Sequence, residues 1–177
     1  MVLYNGVVQD LSERSRRRLA STVNIFNHAL EQWEEKDLTG DTPSGLLYGA
    51  ASTSLDSNLY FFGGHDGSTF NNNLFKISYQ DDGYQCSRLP RSGAGNCPMP
   101  KAGAGLLAFG DNLGVFGGYG IPIDPNQPGT TFIKKREVSD GSGWTNEFHV
   151  YNLKEGVYNK INRALVVNSQ RFLMPDR

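Results

Sequence analysis

The apolar residues of this chain come in short runs, each closed by glycine or asparagine. Leu59-Tyr-Phe-Phe62 and Leu113-Gly-Val-Phe116 both end in Gly-Gly. Leu74-Phe-Lys-Ile77 follows the first and Glu147-Phe-His-Val-Tyr151 the second, while Val23-Asn-Ile-Phe26 precedes both. Apolar runs of this length, bounded by such residues, predict strands. Ser57-Asn58 and Asp111-Asn112 supply turn chemistry, so each Gly-Gly run is expected to be half of a hairpin. A further strand is expected near Tyr84–Leu89, and the Pro- and Gly-rich stretch from Pro90 to Pro100 marks a crossing.

The two Gly-Gly runs belong to longer copies of one another. Residues 49–64 and 103–118 align without a gap, 54 residues apart. Seven of the sixteen positions are identical: Gly49/Gly103, Ala50/Ala104, Asn58/Asn112, Leu59/Leu113, Phe62/Phe116, Gly63/Gly117 and Gly64/Gly118. A repeat near 50 residues, built from short strands and diglycine, predicts β-propeller blades of the kelch kind. Diglycine suits the crowded axis of a propeller, where another backbone or a ring approaches closely.

The expected fold is therefore all-β, a partial kelch β-propeller of about three four-stranded blades with the ring not closed. A propeller takes about four to eight blades, and 177 residues hold about three units. The chain thus reads as a fragment or as a chain that must associate. Residues 1–22, with the basic cluster Arg14 to Arg18, form a poorly defined segment. Residues 23–40 read as outer strands of an incomplete first blade, 41–97 as the second blade and 98–163 as the third. The third carries a long insert, 120–143, and 164–177 is an irregular tail. Tyr84 or Cys86, and later Tyr158, are expected where Trp33 stands in the first unit. Uninterrupted inserts longer than about 15 residues tend to be functional or disordered.

Composition narrows the function. The net charge is −1, which points to neither nucleic acid nor an anionic membrane as partner. No apolar run approaches the ~18 residues of a membrane span, and the N-terminus has no signal-peptide layout. The chain is expected to be intracellular, cytoplasmic or nuclear. Cys86 and Cys97 are then expected to be free thiols. His28, His65 and His149 lie in three different units, without metal-ligand spacing. No P-loop or Gly-x-Ser-x-Gly elbow occurs. No catalytic residue, metal or cofactor is expected, and the chain reads as a non-enzyme.

An ordered series of motifs resembles the kelch domain-containing protein 2 family over residues 23 to about 161. These are Ile25-Phe26-Asn27 with Trp33, Gly40-Asp41 with Pro43, Leu59-Tyr-Phe-Phe-Gly-Gly-His65, Asn73 with Phe75, and Phe116-Gly-Gly-Tyr-Gly120. The long insert then closes on Gly143-Trp144 and Asn146, followed by His149-Val150. The resemblance implies an intracellular propeller acting as a substrate receptor of a cullin-RING ubiquitin ligase. Such receptors read client C-termini, diglycine ends above all. It also implies peptide-binding roles for Tyr119 and Trp144. A Tyr hydroxyl can donate to a carboxylate, and Trp offers a flat wall at low entropic cost. The same two aromatics equally suit packing against the next blade.

The chain departs from the family at two basic pocket positions, which align with Gly103 and Ser142. Lys101 lies two residues from Gly103, on the same side of a strand. Lys134-Lys-Arg136 in the insert is either a substitute cation cluster or a solvated loop tip. A lost charge-assisted hydrogen bond to a carboxylate costs about 1.5–3 kcal/mol. A box recruiting the elongin adaptor would place Leu four residues before Cys. Here Asp82 precedes Cys86 and Gly93 precedes Cys97 at that spacing. Docking to a ligase adaptor would rest on a part outside this chain. The alternatives are a generic kelch protein–protein interaction scaffold and a non-functional truncated product.

Overall fold

Asp56 and Ser57 both lie at positive φ, 48° and 61°. That turn folds the apolar runs on either side into a tight hairpin. The structure is a computed structural model and describes residues 2–3, 7–9, 17–19, 22–43, 47–91, 96–121, 132–134 and 142–161, with backbone alone for 2–3, 7–9, 17–19 and 132–134. Among the described residues all regular structure is strand. Arg14 and Arg16 of the basic cluster and the tail 164–177 lie outside the described residues.

Strands β1 (Val2–Leu3), β2 (Val7–Gln9) and β3 (Arg17–Leu19) are short, and β2 pairs with β3. β4 (Thr22–Asn27) and β5 (Gln32–Gly40) form the first long hairpin. Its turn is held by the Asn27 carboxamide oxygen, which accepts from the Ala29 and Leu30 amides at 3.0 and 3.3 Å. β6 (Ala51–Leu55), β7 (Asn58–Phe62), β8 (Leu74–Gln80) and β9 (Gly83–Arg88) make a four-stranded antiparallel meander. The last residues of β5 leave β4 and pair in parallel with β9, Leu38 to Gly40 against Tyr84 to Cys86. The first hairpin is thereby stitched to the outer edge of the second unit, giving the order β1-β4-β5-β9-β8-β7-β6.

β10 (Lys101–Ala102) precedes the third unit, whose inner hairpin is β11 (Gly105–Phe109) and β12 (Asn112–Phe116). The insert is bracketed by β13 (Tyr119–Gly120), β14 (Phe132–Lys134) and β15 (Gly143–Thr145). These join β10 in a small sheet of order β10-β13-β15-β14. β16 (Phe148–Asn152) and β17 (Val157–Ile161) complete the third meander, order β11-β12-β16-β17. Lys134 takes part in this sheet through its backbone, while Lys135 and Arg136 lie outside the described residues.

The internal repeat is a repeat of backbone geometry. Gly49 and Gly103 have φ of 65° and 64°, Gly63 and Gly117 71° and 65°, Gly64 and Gly118 99° and 101°. Glycine is required at Gly63, where an added Cβ would strike the Lys101 carbonyl oxygen as well as hold a left-handed φ. The ladders fix the rest of the alignment. Phe62 pairs with Leu74 and Phe116 with Phe148, so the third strands correspond with Asn73 matching Glu147. In the sequence Asn146 precedes Glu147 as Asn73 precedes Leu74, a correspondence that would start the third strand of unit three at Glu147; the strand starts one residue later, at Phe148. Both Asn73 and Glu147 accept the amide of the first glycine, at 3.1 and 3.0 Å. In the fourth strand Cys86 faces Ile77 as Tyr158 faces Tyr151, which settles the Tyr84-or-Cys86 alternative on Cys86.

Two cores result. One gathers Val23, Leu38, Leu47, Phe61, Phe75, Ile77 and Cys86, joining the first hairpin to unit two. The other places Tyr60, Phe62 and Leu74 of unit two against Leu113, Val115, Tyr151 and Tyr158 of unit three. Successive units therefore stack face to face, as propeller blades do. Phe62 is 0% exposed under unit three, while its counterpart Phe116 is 47% exposed. Among the described residues the stack is open at that face. Trp33, opposite Phe26 and 49% exposed, is not a core aromatic here.

Candidate functional site

The Gly-Gly pair of each unit turns the chain so that the next residue stands at the mouth of a loop. In unit three that residue is Tyr119, which pairs with Trp144 across β13 and β15. Cross-strand partners point to the same side, and the two rings meet edge-on at 5.3 Å. The Tyr119 hydroxyl lies 2.6 Å from the Ser142 hydroxyl. Trp144 remains 56% exposed.

Unit two holds the same device. His65 follows its Gly-Gly pair and bridges to Phe70 in the same antiparallel sense, with rings 4.5 Å apart. The residue after each second aromatic braces the turn through its side chain. Asn71 accepts from the Asn73 amide at 2.6 Å, and Thr145 from the Glu147 amide at 3.2 Å. Phe70 also reaches Tyr119, ring to ring at 5.9 Å. His65, Phe70, Tyr119 and Trp144 thus form one aromatic row across two units. Sequence reasoning found its unit-three half only. The Gly-Gly-His65 against Gly-Gly-Tyr119 match carried the signal for the rest.

Lys101 does not supply the cation missing at Gly103. It pairs with Gly120, whereas its neighbour Ala102 pairs with Tyr119, so its side chain leaves the opposite face of the small sheet. There it is 0% exposed, and its Nζ has no hydrogen-bond partner among the described residues. Burial pulls its ammonium down to about 8, with Glu147 opposing. His149, 2% exposed, is held down to about 4 by burial and then by the Lys101 charge. Glu147 takes a 2.7 Å ion pair from Lys160. Neither Lys101 nor His149 was read from sequence as a buried group.

Cys86 and Cys97 are not bridged to one another, and burial pushes the Cys86 thiol up to about 12. Among the described residues no three His, Cys, Asp or Glu side chains are grouped to hold a metal ion.

The chain is 27% identical over 131 residues to mouse Kelch domain-containing protein 2, an alignment covering 71% of the chain and 32% of the relative. Against the human protein of that name the identity is 26% over the same spans. The fold is a partial kelch propeller. Mouse Kelch domain-containing protein 1 is 25% identical over 69% of the chain and 30% of its own length. The chain spans about a third of the length of the curated relatives it matches. No protein-family model matches it. The kelch repeat accounts for the Gly-Gly turns and stacked meanders, and the aromatic row is what this propeller displays at their loop ends.

Proposed function

We propose that this kelch segment is a protein-binding module whose aromatic row receives an extended peptide, with a free C-terminus set against Tyr119 and Trp144. One observation carries the reading: Trp144 is a large ring left mostly exposed, yet fixed by its backbone pairing and by edge contact with Tyr119. A rigid exposed aromatic is an efficient anchor, since little entropy is lost on contact. When Ser142 donates to Tyr119, the Tyr proton stays available for a carboxylate. In its finer form the reading makes the module a substrate receptor of a cullin-RING ubiquitin ligase, with adaptor contacts made elsewhere.

Fluorescence polarisation with a labelled peptide ending in Gly-Gly tests this. The free acid is expected to bind about tenfold more tightly than the amide, and Trp144→Ala to abolish the difference. Equal binding of acid and amide overturns the C-terminus reading. A second reading, a scaffold gripping internal segments, is favoured by Gly103 and Ser142, which bring no cation to the aromatic face. Pull-downs that survive Trp144→Ala would support it.

A further inference from the structure

The repeat supplies an internal control for every buried position of unit three. Lys101 corresponds to Leu47, since each lies one residue before the partner of the residue following Gly-Gly. Val115 corresponds to Phe61 and His149 to Phe75. In unit two these positions form an apolar core, with Phe61 and Phe75 stacked at 4.9 Å and 12°. Unit three fills the same positions with an ammonium, a small aliphatic and an imidazole, all buried. The fold plainly tolerates the apolar solution. Leaving polar groups there costs free energy unless something meets them.

Two buried polar atoms are left over, one a donor and the other a donor when the imidazole proton sits on Nδ1. Lys101 Nζ and His149 Nδ1 have no partner among the described residues. Glu147 Oε1 is engaged by Lys160. The carboxylate nearest in charge to Lys101, that of Glu147, is shared with Lys160, and a buried ammonium so placed calls for a further acceptor, ideally a charged one. Gly120 adjoins this site: a Cβ there would lie 2.8 Å from Lys101 Cα and Cβ, so the residue beside the lysine must be small.

We propose that the junction of units two and three binds a small monovalent anion, halide or carboxylate, between Lys101 Nζ and His149 Nδ1. The site is separate from the aromatic row, because Lys101 leaves the opposite face of the small sheet from Tyr119. The anion accepts from the ammonium and from the N–H of a neutral imidazole. It would fasten the two units by mass action.

Thermal unfolding of the full chain at pH 7 tests the proposal. Sodium chloride and sodium formate are titrated separately, with ionic strength held by a bulky sulfonate. One or both should raise the midpoint by about 3 °C. A response to chloride alone identifies a halide site, and one to formate a carboxylate site. The double variant Lys101→Leu, His149→Phe, which restores the unit-two residues, should lose the shift. No shift in the native chain, or an equal shift in the variant, overturns the proposal. Should the double variant not fold, Lys101→Met with 13C-formate and 35Cl line widths decides it. Broadening of at least one signal by native chain and not by the variant is expected, and equal widths overturn the site.

Discussion

Units two and three share strand lengths in their inner hairpins, φ values at three pairs of glycines and the same loop-mouth bridge. They differ in what fills them. Unit two is apolar at Leu47, Phe61 and Phe75, whereas unit three has Lys101, Val115 and His149 at those positions. The backbone of a kelch unit is thus set by turns and glycines, and its interior chemistry can vary within that frame. The buried polar groups found in unit three and missing from unit two therefore belong to its side chains, not to the backbone frame the two units share.

Truncation of the cores should expose the contrast most strongly. Phe75→Ala removes a stacked, buried ring and should cost about 4 kcal/mol in urea unfolding. His149→Ala, at the equivalent position, should cost under about 1 kcal/mol in buffer free of halide and carboxylate, because there it also removes an unmet polar group. Equal losses would break the comparison. The first glycine of each pair sharpens it next. Gly63→Ala meets the Lys101 carbonyl, while at Gly117 the nearest atom, the Thr145 carbonyl oxygen, lies 3.6 Å from the added Cβ. Both lie at positive φ. Losses of about 3 and about 1 kcal/mol are expected by the same measurement.

Acid should act through unit three. The folded chain refuses a proton on His149 until about pH 4, while the unfolded chain accepts it near 6.5. The unfolded state binds more protons in that window, so stability falls as pH drops from 6.5 to 4, by about 3 kcal/mol. His149→Phe should remove that part of the slope, and an unchanged slope would contradict it. The smallest effect on stability is expected at the aromatic row. Trp144→Ala should shift unfolding by no more than about 0.5 kcal/mol while weakening peptide binding. A large stability loss would make Trp144 a packing residue.

Much of this was written in short-range signals. The apolar runs and diglycine gave the inner hairpins, and the 54-residue offset aligned them. Those are local events, decided by turn chemistry and strand periodicity. The parallel junction of β5 with β9 had no such signal, since it joins segments distant in sequence through backbone groups alone. Asn146 misled the third-strand alignment because an insert hides a one-residue offset, which ladder register resolves. Tyr119 and Trp144 were singled out by the family resemblance, and the structure brings them together. Lys101 drew notice only for lying two residues from Gly103. Only the comparison with Leu47, available in the sequence at the same offset, marks it as buried.

The paired residues at the loop mouths have a consequence for how such chains diversify. His65 and Phe70 close a stretch of four residues, 66–69, and Tyr119 and Trp144 close one of 24, 120–143, with the same antiparallel bridge. Lengthening a closed loop sixfold costs only about 1.6 kcal/mol in chain entropy. The bridge therefore works as a socket, into which new peptide can be spliced without disturbing the meander behind it. The turn at 66–69 is an unused socket of the same kind, and a foreign loop inserted there would be displayed directly beside Trp144's neighbour Tyr119.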